Sequence, residues 1–288
     1  MRAEAIVHGA VTIINAISIQ KGAALGIDLW THANVTLNNQ PGGIDVRIKS
    51  DPSESVVLAR KVVRGVFRRF KLEQKYGAEV EVDSNIPIAR GLKSSSAAAN
   101  AIALATVGAL NRRVQDVEIV RLGVKAAIES GVTITGAFDD ACASYFGNLV
   151  ITDNRRMMIE RTYRIRDGYS VLIHVPKSKS YTIKANVEKM KEIAPLIRIA
   201  HQQALRGNYW DAMCFNGYAH SVALDFNPNI AIEALSVGAV AAGLSGKGPA
   251  VAAVVPSGKV TSVRKAWTKY PGRLILAGVN SKKACIVR

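Results

Sequence analysis

An α+β protein of two domains is the fold class that this sequence predicts, on three observations. Segments with the two-residue apolar alternation of strands and segments with the 3.6-residue period of helices occur in both halves of the chain. The charge balance shifts near residues 150–165: residues 1–150 carry 17 basic and 14 acidic groups, and residues 151–288 carry 21 and 8. The length of 288 residues, 49% of them apolar, suits one large domain or two modest ones with real cores. Disorder and a collagen-like fibre are excluded. The expected division is 1–155 and 156–288.

The first third reads as strands: Glu4 to Val7, Val11 to Ile14, Gly26 to Trp30, Ala33 to Leu37 and Ile44 to Lys49. His8-Gly9-Ala10 is read as a turn, and Asn38 to Gly43 as the bend of a hairpin joining the last two strands. From Ser55 to Phe70 the apolar residues fall on one side of a helix, with Arg60, Lys61, Arg64, Arg68 and Arg69 elsewhere. A strand (Ala78 to Val82) leads to a Pro- and Gly-containing turn, then a small-residue helix from about Ser95 to Leu110. A further helix, capped by Asp116, runs to about Glu129. Past Gly147 a strand (Leu149 to Thr152) precedes a basic, poorly patterned segment (Arg155 to Arg166) and a strand (Tyr169 to Val175). Helices are expected over Thr182 to Leu224 and Ile230 to Val240. The end alternates: strand Ala250 to Val255, helix Val260 to Lys269, then strands Arg273 to Leu276 and Lys283 to Val287.

The net charge of +16 points to an anionic partner, whether nucleic acid, a membrane surface or a small anionic substrate. Only 17 residues are aromatic, and the basic groups are dispersed in helices without a glycine-aromatic RNA-binding pattern, which argues against nucleic acid. No apolar stretch matches the roughly 20 residues of a membrane span. Glu4, His8, Gly9 and Asn15 interrupt what would otherwise pass for a cleaved leader. Cys142, Cys214 and Cys285 lie far apart with no paired spacing, so a disulfide scaffold or thiolate zinc site is not expected, and the reducing cytoplasm is the natural compartment.

Three stretches can carry chemistry. In Ile86 to Asn100 a glycine turn and three hydroxyls open an alanine-rich helix. Such a helix start offers free N–H groups and a positive dipole end to a phosphate, with small side chains that let it approach. An ordinary Ser N-cap on a buried helix is the competing reading. A Walker A loop is excluded, because Leu92 separates Gly91 from Lys93. In the second stretch, Thr135 to Gly147, adjacent Asp139 and Asp140 follow a Gly-Ala turn. Two carboxylates near a phosphate site could hold Mg²⁺ and orient a hydroxyl, or one of them could merely cap the next helix. The third, Ala242 to Ala250, is a Gly-rich loop before a strand, either a phosphate-facing turn or a flexible connection. It is not a dinucleotide fingerprint, since its order is G-x-x-G-x-G and it precedes a strand.

The order GLKSSSAAANA, then GAFDDACASYFG 45 residues later, then GLSGKGPA, resembles the GHMP small-molecule kinases, which include galactokinase and the homoserine and mevalonate kinases. Within them it is most similar to the archaeal shikimate kinases, over nearly the whole chain. The resemblance implies an N-terminal domain like ribosomal protein S5 domain 2, a ferredoxin-like C-terminal domain, and ATP and acceptor in the cleft between them. Pro87, Ile88, Ala89, Arg90, Gly91, Leu92, Lys93, Ser94, Ser95, Ser96 and Ala97 would then form the nucleotide phosphate loop. Ser95 (or its neighbours Ser94 and Ser96) and Glu129 would hold Mg²⁺, and Asp139 would be the base toward the acceptor hydroxyl, with Asp140 its rival. Gly243, Ser245, Gly246 and Gly248 would form the third motif, abutting the phosphate loop.

The implied reaction is ATP-dependent phosphorylation of the 3-hydroxyl of shikimate, with homoserine or mevalonate as alternative acceptors. Arg90, Lys21 and the C-terminal basic set are candidates for the acceptor carboxylate. One departure stands at the N-terminus. Many members of the family carry a Lys before a G-E-H turn, whereas this chain has Glu4-Ala5-Ile6-Val7-His8-Gly9-Ala10.

Overall fold

The computed structural model describes residues 1–177 and 187–287. Two sheets organise them. The first contains seven strands: β1 (Arg2–Ile14), β2 (Lys21–Asn38), β3 (Ile44–Ile48), β4 (Gly77–Ser84), β5 (Leu149–Asp153), β6 (Met158–Tyr163) and β11 (Cys285–Ile286). Its main path runs β11-β1-β2-β4-β3, and β5 pairs with the first residues of β2 and with β6. The second sheet has the order β10 (Arg273–Gly278), β7 (Tyr169–Val175), β9 (Val251–Pro256), β8 (Ala241–Leu244), all antiparallel. The chain thus has the expected α+β character. β6 and β11, though late in the sequence, both belong to the first sheet.

The alternation from Leu29 to Asn38 explains the long β2: Leu29, Thr31, Ala33, Val35 and Leu37 are buried while the residues between are half-exposed. Over the buried face lie α1 (Val57–Phe70), α2 (Ser94–Ala109), α3 (Asp116–Glu129) and α4 (Phe138–Phe146). α2 is apolar nearly all round and correspondingly sits in the middle, against β1, β2 and the other three helices. The second sheet is apolar on both faces. Leu172, Val251, Ala253 and Val255 meet α8 (Asn229–Ser236) and α9 (Val260–Trp267) around Trp267, while Val171, Ile173, Ala252 and Val254 join the main core. α6 (Ala194–Leu205) and α7 (Tyr209–Ala223) complete that core, and α7 packs on both β1 and β8. The short α5 (Val187–Glu192) precedes them; the first residues of the helical stretch expected from Thr182 lie outside the described residues.

Several expectations are corrected. His8-Gly9-Ala10 is not a turn: β1 runs straight through it, and the two strands shift register there, leaving Asp28 and Leu29 as extra residues on β2. The hairpin after Asn38 does not form. β3 pairs with β4 in parallel, and β4 inserts between β2 and β3, its Ala78 N–H donating to the Gly43 carbonyl at 2.9 Å. A β3–α1–β4 crossover has replaced a local reversal, which strand patterning alone could not separate. The basic segment after Arg155 contains β6, an exposed edge strand with almost no buried residue to signal it. Ala241 to Leu244, read as helix end and loop, is β8. Asp116 does not cap α3; Gln115 occupies the cap position, and the Asp116 carboxylate accepts from Tyr145 and Lys283.

Candidate active site

The end of β1, the N-termini of α2 and α4 and the β8–β9 loop converge on one cavity of about 240 Å³. At its centre is the start of α2. Lys93 holds the cap position in the left-handed conformation (φ 66°), and no side chain caps the helix. The ordinary Ser cap is therefore absent. Ala97 N–H already donates to the Lys93 carbonyl, which leaves the amides of Ser94, Ser95 and Ser96 facing the cavity.

The preceding turn is fixed by a close approach. Gly91 has φ 82°, and a methyl group there would overlap the Ser245 carbonyl. Ser245 Oγ donates to the Gly91 carbonyl at 2.7 Å, and Ala250 N–H donates to that of Arg90 at 3.2 Å. The Ser245–Ala250 loop therefore braces the Arg90–Gly91 turn. Gly246 and Gly248 line the cavity; Gly243 instead packs on Gly217 of α7. Ile88, Ala89 and Gly91 also line it, whereas Leu92 and Ala97 are core residues. Pro87 and Arg90 face a neighbouring cleft, where Arg90 donates to the Lys177 carbonyl.

Asp139 and Asp140 sit in the first turn of α4, where the helix dipole favours carboxylates, and neither caps it. Both line the cavity. Asp139 is only 2% exposed. Its Oδ1 accepts from Asn154 Nδ2 at 2.7 Å, and Asn154 is held in turn by Thr152 Oγ1. Its other face lies against Gly22 of β2, where any Cβ would overlap the carboxylate. Burial above all, and then the charge of Asp140, push the Asp139 carboxyl up to about 7. Asp140 is more open and forms an ion pair with Lys93 Nζ at 3.0 Å.

Lys93 Nζ also donates to Thr12 Oγ1 at 2.6 Å, and Gly246 N–H donates to the same hydroxyl at 2.8 Å. Thr12 adjoins a second register shift in β1, the kind of irregularity that re-aims a side chain at the edge of a site. Asn15 Nδ2 donates to the Gly246 carbonyl, and Asn15 N–H to Asn216 Oδ1 of α7. Deeper in, His220 Nδ1 lies 2.9 Å from the Asn216 carbonyl and Nε2 lies 3.1 Å from Ser18 Oγ. Burial lowers this imidazole to about 4, so it is neutral: Nδ1–H donates to the carbonyl and Nε2 accepts from the serine.

Not every expected residue arrives. Glu129, at the end of α3, is exposed and lies 3.9 Å from Arg68, outside the cavity lining. Lys21 pairs with Glu160 and Asp153 and is likewise outside it. Sequence reasoning gave no role to several residues that do line it, among them the polar or charged Thr12, Asn15, Glu54, Thr133 and Lys247. Thr12 and Asn15 are single polar residues ending an apolar strand, a signal that was available. Glu54 lay in an unremarkable polar loop.

Residues 58–148 match the GHMP kinases N terminal domain. The shikimate kinase of Methanosarcina mazei is 43% identical over 286 residues, spanning 99% of this chain and 96% of that protein. The chain belongs to the GHMP kinase family. The shikimate kinase of Pyrococcus furiosus, another relative, is 39% identical over 91% of this chain and 93% of its own length. Among solved structures, Methanococcus jannaschii mevalonate kinase superposes with a TM-score of 0.76 at 17% identity, covering 97% of this chain and 98% of that one. Lactococcus lactis galactokinase complexed with galactose gives 0.75 at 15%, covering 99% and 95%. At those identities the likeness is one of fold, and the two-domain GHMP architecture is the fold of this chain.

Proposed function

We propose that this protein is a shikimate kinase, transferring the γ-phosphoryl group of ATP to the 3-hydroxyl of shikimate. One observation carries the reading: the uncapped amides of α2 and the Asp139–Asp140 pair of α4 open into the same cavity. Phosphoryl transfer asks chiefly for positioning and charge neutralisation, and these are the parts it uses. The choice of acceptor follows the shikimate kinases of Methanosarcina mazei and Pyrococcus furiosus, which this chain matches along nearly all its length.

The amides of residues 94–96 and Lys93 receive phosphate oxygens. Beside them a second, largely apolar cavity of about 220 Å³ is walled by Leu58, Val82, Ala98 and Ile102 and shares Glu54, Ser94 and Ser95 with the first. It suits a nucleobase. The serine hydroxyls and the Glu54 carboxylate are hard oxygen donors of the kind Mg²⁺ takes together with phosphates, so Ser95 and Glu54 would hold the ion. When bound, Mg²⁺ neutralises charge on the transferring group. Glu129 would need to leave Arg68 to serve there.

Asp139 accepts the proton of the acceptor hydroxyl as its oxygen bonds to phosphorus and the bond to the leaving ADP oxygen breaks. A carboxylate held near 7 is well matched to that task at neutral pH. Asp140 keeps the Lys93 ammonium in place. The pair offers a lysine–aspartate arrangement from the phosphate loop, where many relatives use an N-terminal lysine. ADP release measured with shikimate, homoserine and mevalonate in turn tests the reading. Release with shikimate alone is expected; release with either other acceptor and not with shikimate would reassign the substrate.

A further inference from the structure

Lys247 is the one residue of the cavity wall whose charge the site does not use. Its loop is held rigidly. Gly246 on one side is pinned by Thr12 and Asn15, and Gly248 N–H on the other donates to the Ser245 carbonyl. The side chain lines the cavity yet makes no hydrogen bond or ion pair with any described residue; its electrostatic neighbours are Lys93 and Asp140. Asp140 is already engaged by Lys93 at 3.0 Å. A largely buried ammonium without a counter-ion is costly, and here burial and the Lys93 charge lower it to about 7. An anion arriving from solution would complete the arrangement.

The position of Lys247 indicates which anion. The nucleobase chamber and the main cavity share Glu54, Ile88, Ser94, Ser95 and Val132, which marks the nucleotide side. Lys247 is absent from that shared wall; its loop is tied to Thr12 and Asn15, and its charged neighbours are Lys93 and Asp140. We infer that Lys247 binds the carboxylate of the acceptor and so makes the site selective for an anionic alcohol. This rests on the kinase reading above and adds the residue that recognises the substrate. Arg90 and Lys21, the other basic candidates, are turned to different partners.

The test compares wild type with Lys247→Met, which keeps most of the length of the side chain and removes its charge, using shikimate and its neutral methyl ester as acceptors. A charge-assisted hydrogen bond of ordinary strength predicts that KM for shikimate rises roughly 10- to 100-fold in the variant. KM for ATP should stay within about twofold, and the variant should treat acid and ester alike while wild type prefers the acid by a similar factor. Lys247→Arg should recover part of the loss. An unchanged KM for shikimate, or a loss shared by acid and ester, would overturn the assignment, as would a rise confined to KM for ATP, which would place Lys247 on the phosphates. Wild type unable to phosphorylate shikimate would refute the kinase reading instead. Circular dichroism of the variant separates any of these results from misfolding.

Discussion

Replacing Asp139 with Asn should make the protein more stable and less active, and the stability gain should depend on pH. In the folded state the carboxyl ionises at about 7 rather than 3.8. The native state therefore holds its proton more tightly than the unfolded chain does. Below pH 4 both states are protonated and the group costs nothing. As pH rises from about 4 to about 7 the unfolded chain gains the advantage, and above 7 the penalty is complete. The displacement from 3.8 to about 7 corresponds to about 4 kcal/mol, and sharing of that charge with Asp140 brings the expected gain to about 2–4 kcal/mol.

Asparagine is nearly isosteric and can still accept from Asn154 Nδ2, so the packing against Gly22 need not change. Denaturant unfolding of wild type and Asp139→Asn at pH 8 and at pH 4.5 is the assay. The variant should be more resistant at pH 8, with a melting temperature roughly 5–10 °C higher, and its advantage should shrink to about 1 kcal/mol at pH 4.5, where only the first part of the rise from 3.8 to about 7 has been crossed. In parallel, kcat should fall by about 10² or more while ATP still binds. An equal gain at both pH values, or none at pH 8, would show that the buried carboxylate is not the strained group this reasoning takes it to be. A near-normal kcat would move the base to Asp140.

Two further substitutions probe the supports of the site. Gly22→Ala puts a methyl group where the Asp139 carboxylate lies; activity should drop at least about tenfold with a loss of about 1–3 kcal/mol, and adding Asp139→Ala should restore stability in thermal melts without restoring turnover. Glu54→Gln should raise the Mg²⁺ concentration needed for half-maximal rate several-fold, whereas Glu129→Gln, which loosens only the surface contact with Arg68, should leave it unchanged; the reverse order in a Mg²⁺ titration would return the metal to Glu129.

The helices and the three motifs were legible because their signals are local. Periodicity marked α1, and the glycine turn followed by serines and alanines marked the start of α2 within a residue. Non-local pairing was not legible. Nothing in Asn38 to Lys49 says that β4 will slide between β2 and β3 after a helix intervenes, because strand order is decided by which face needs covering. β6 carries no apolar alternation, being an exposed edge. Lys247 looked like part of a flexible loop, since its burial depends on Thr12 and Asn15, more than 230 residues away. The aspartates were found and their environment was not: the raised pKa of Asp139 comes from its burial, with Gly22 packed against the carboxylate, and from the Asp140 charge beside it.

Of the residues behind the charge of +16, Lys93 and Lys247 line the cavity; most of the surplus lies outside it. The central claim, that this cavity joins a nucleotide to a carboxylate-bearing alcohol, is tested most directly by ³¹P NMR of wild-type protein with ATP, Mg²⁺ and shikimate. The account predicts a new phosphomonoester signal coupled to the ring proton at C3, growing in step with ADP. ATP left intact, or hydrolysed to inorganic phosphate with no ester formed, would contradict it.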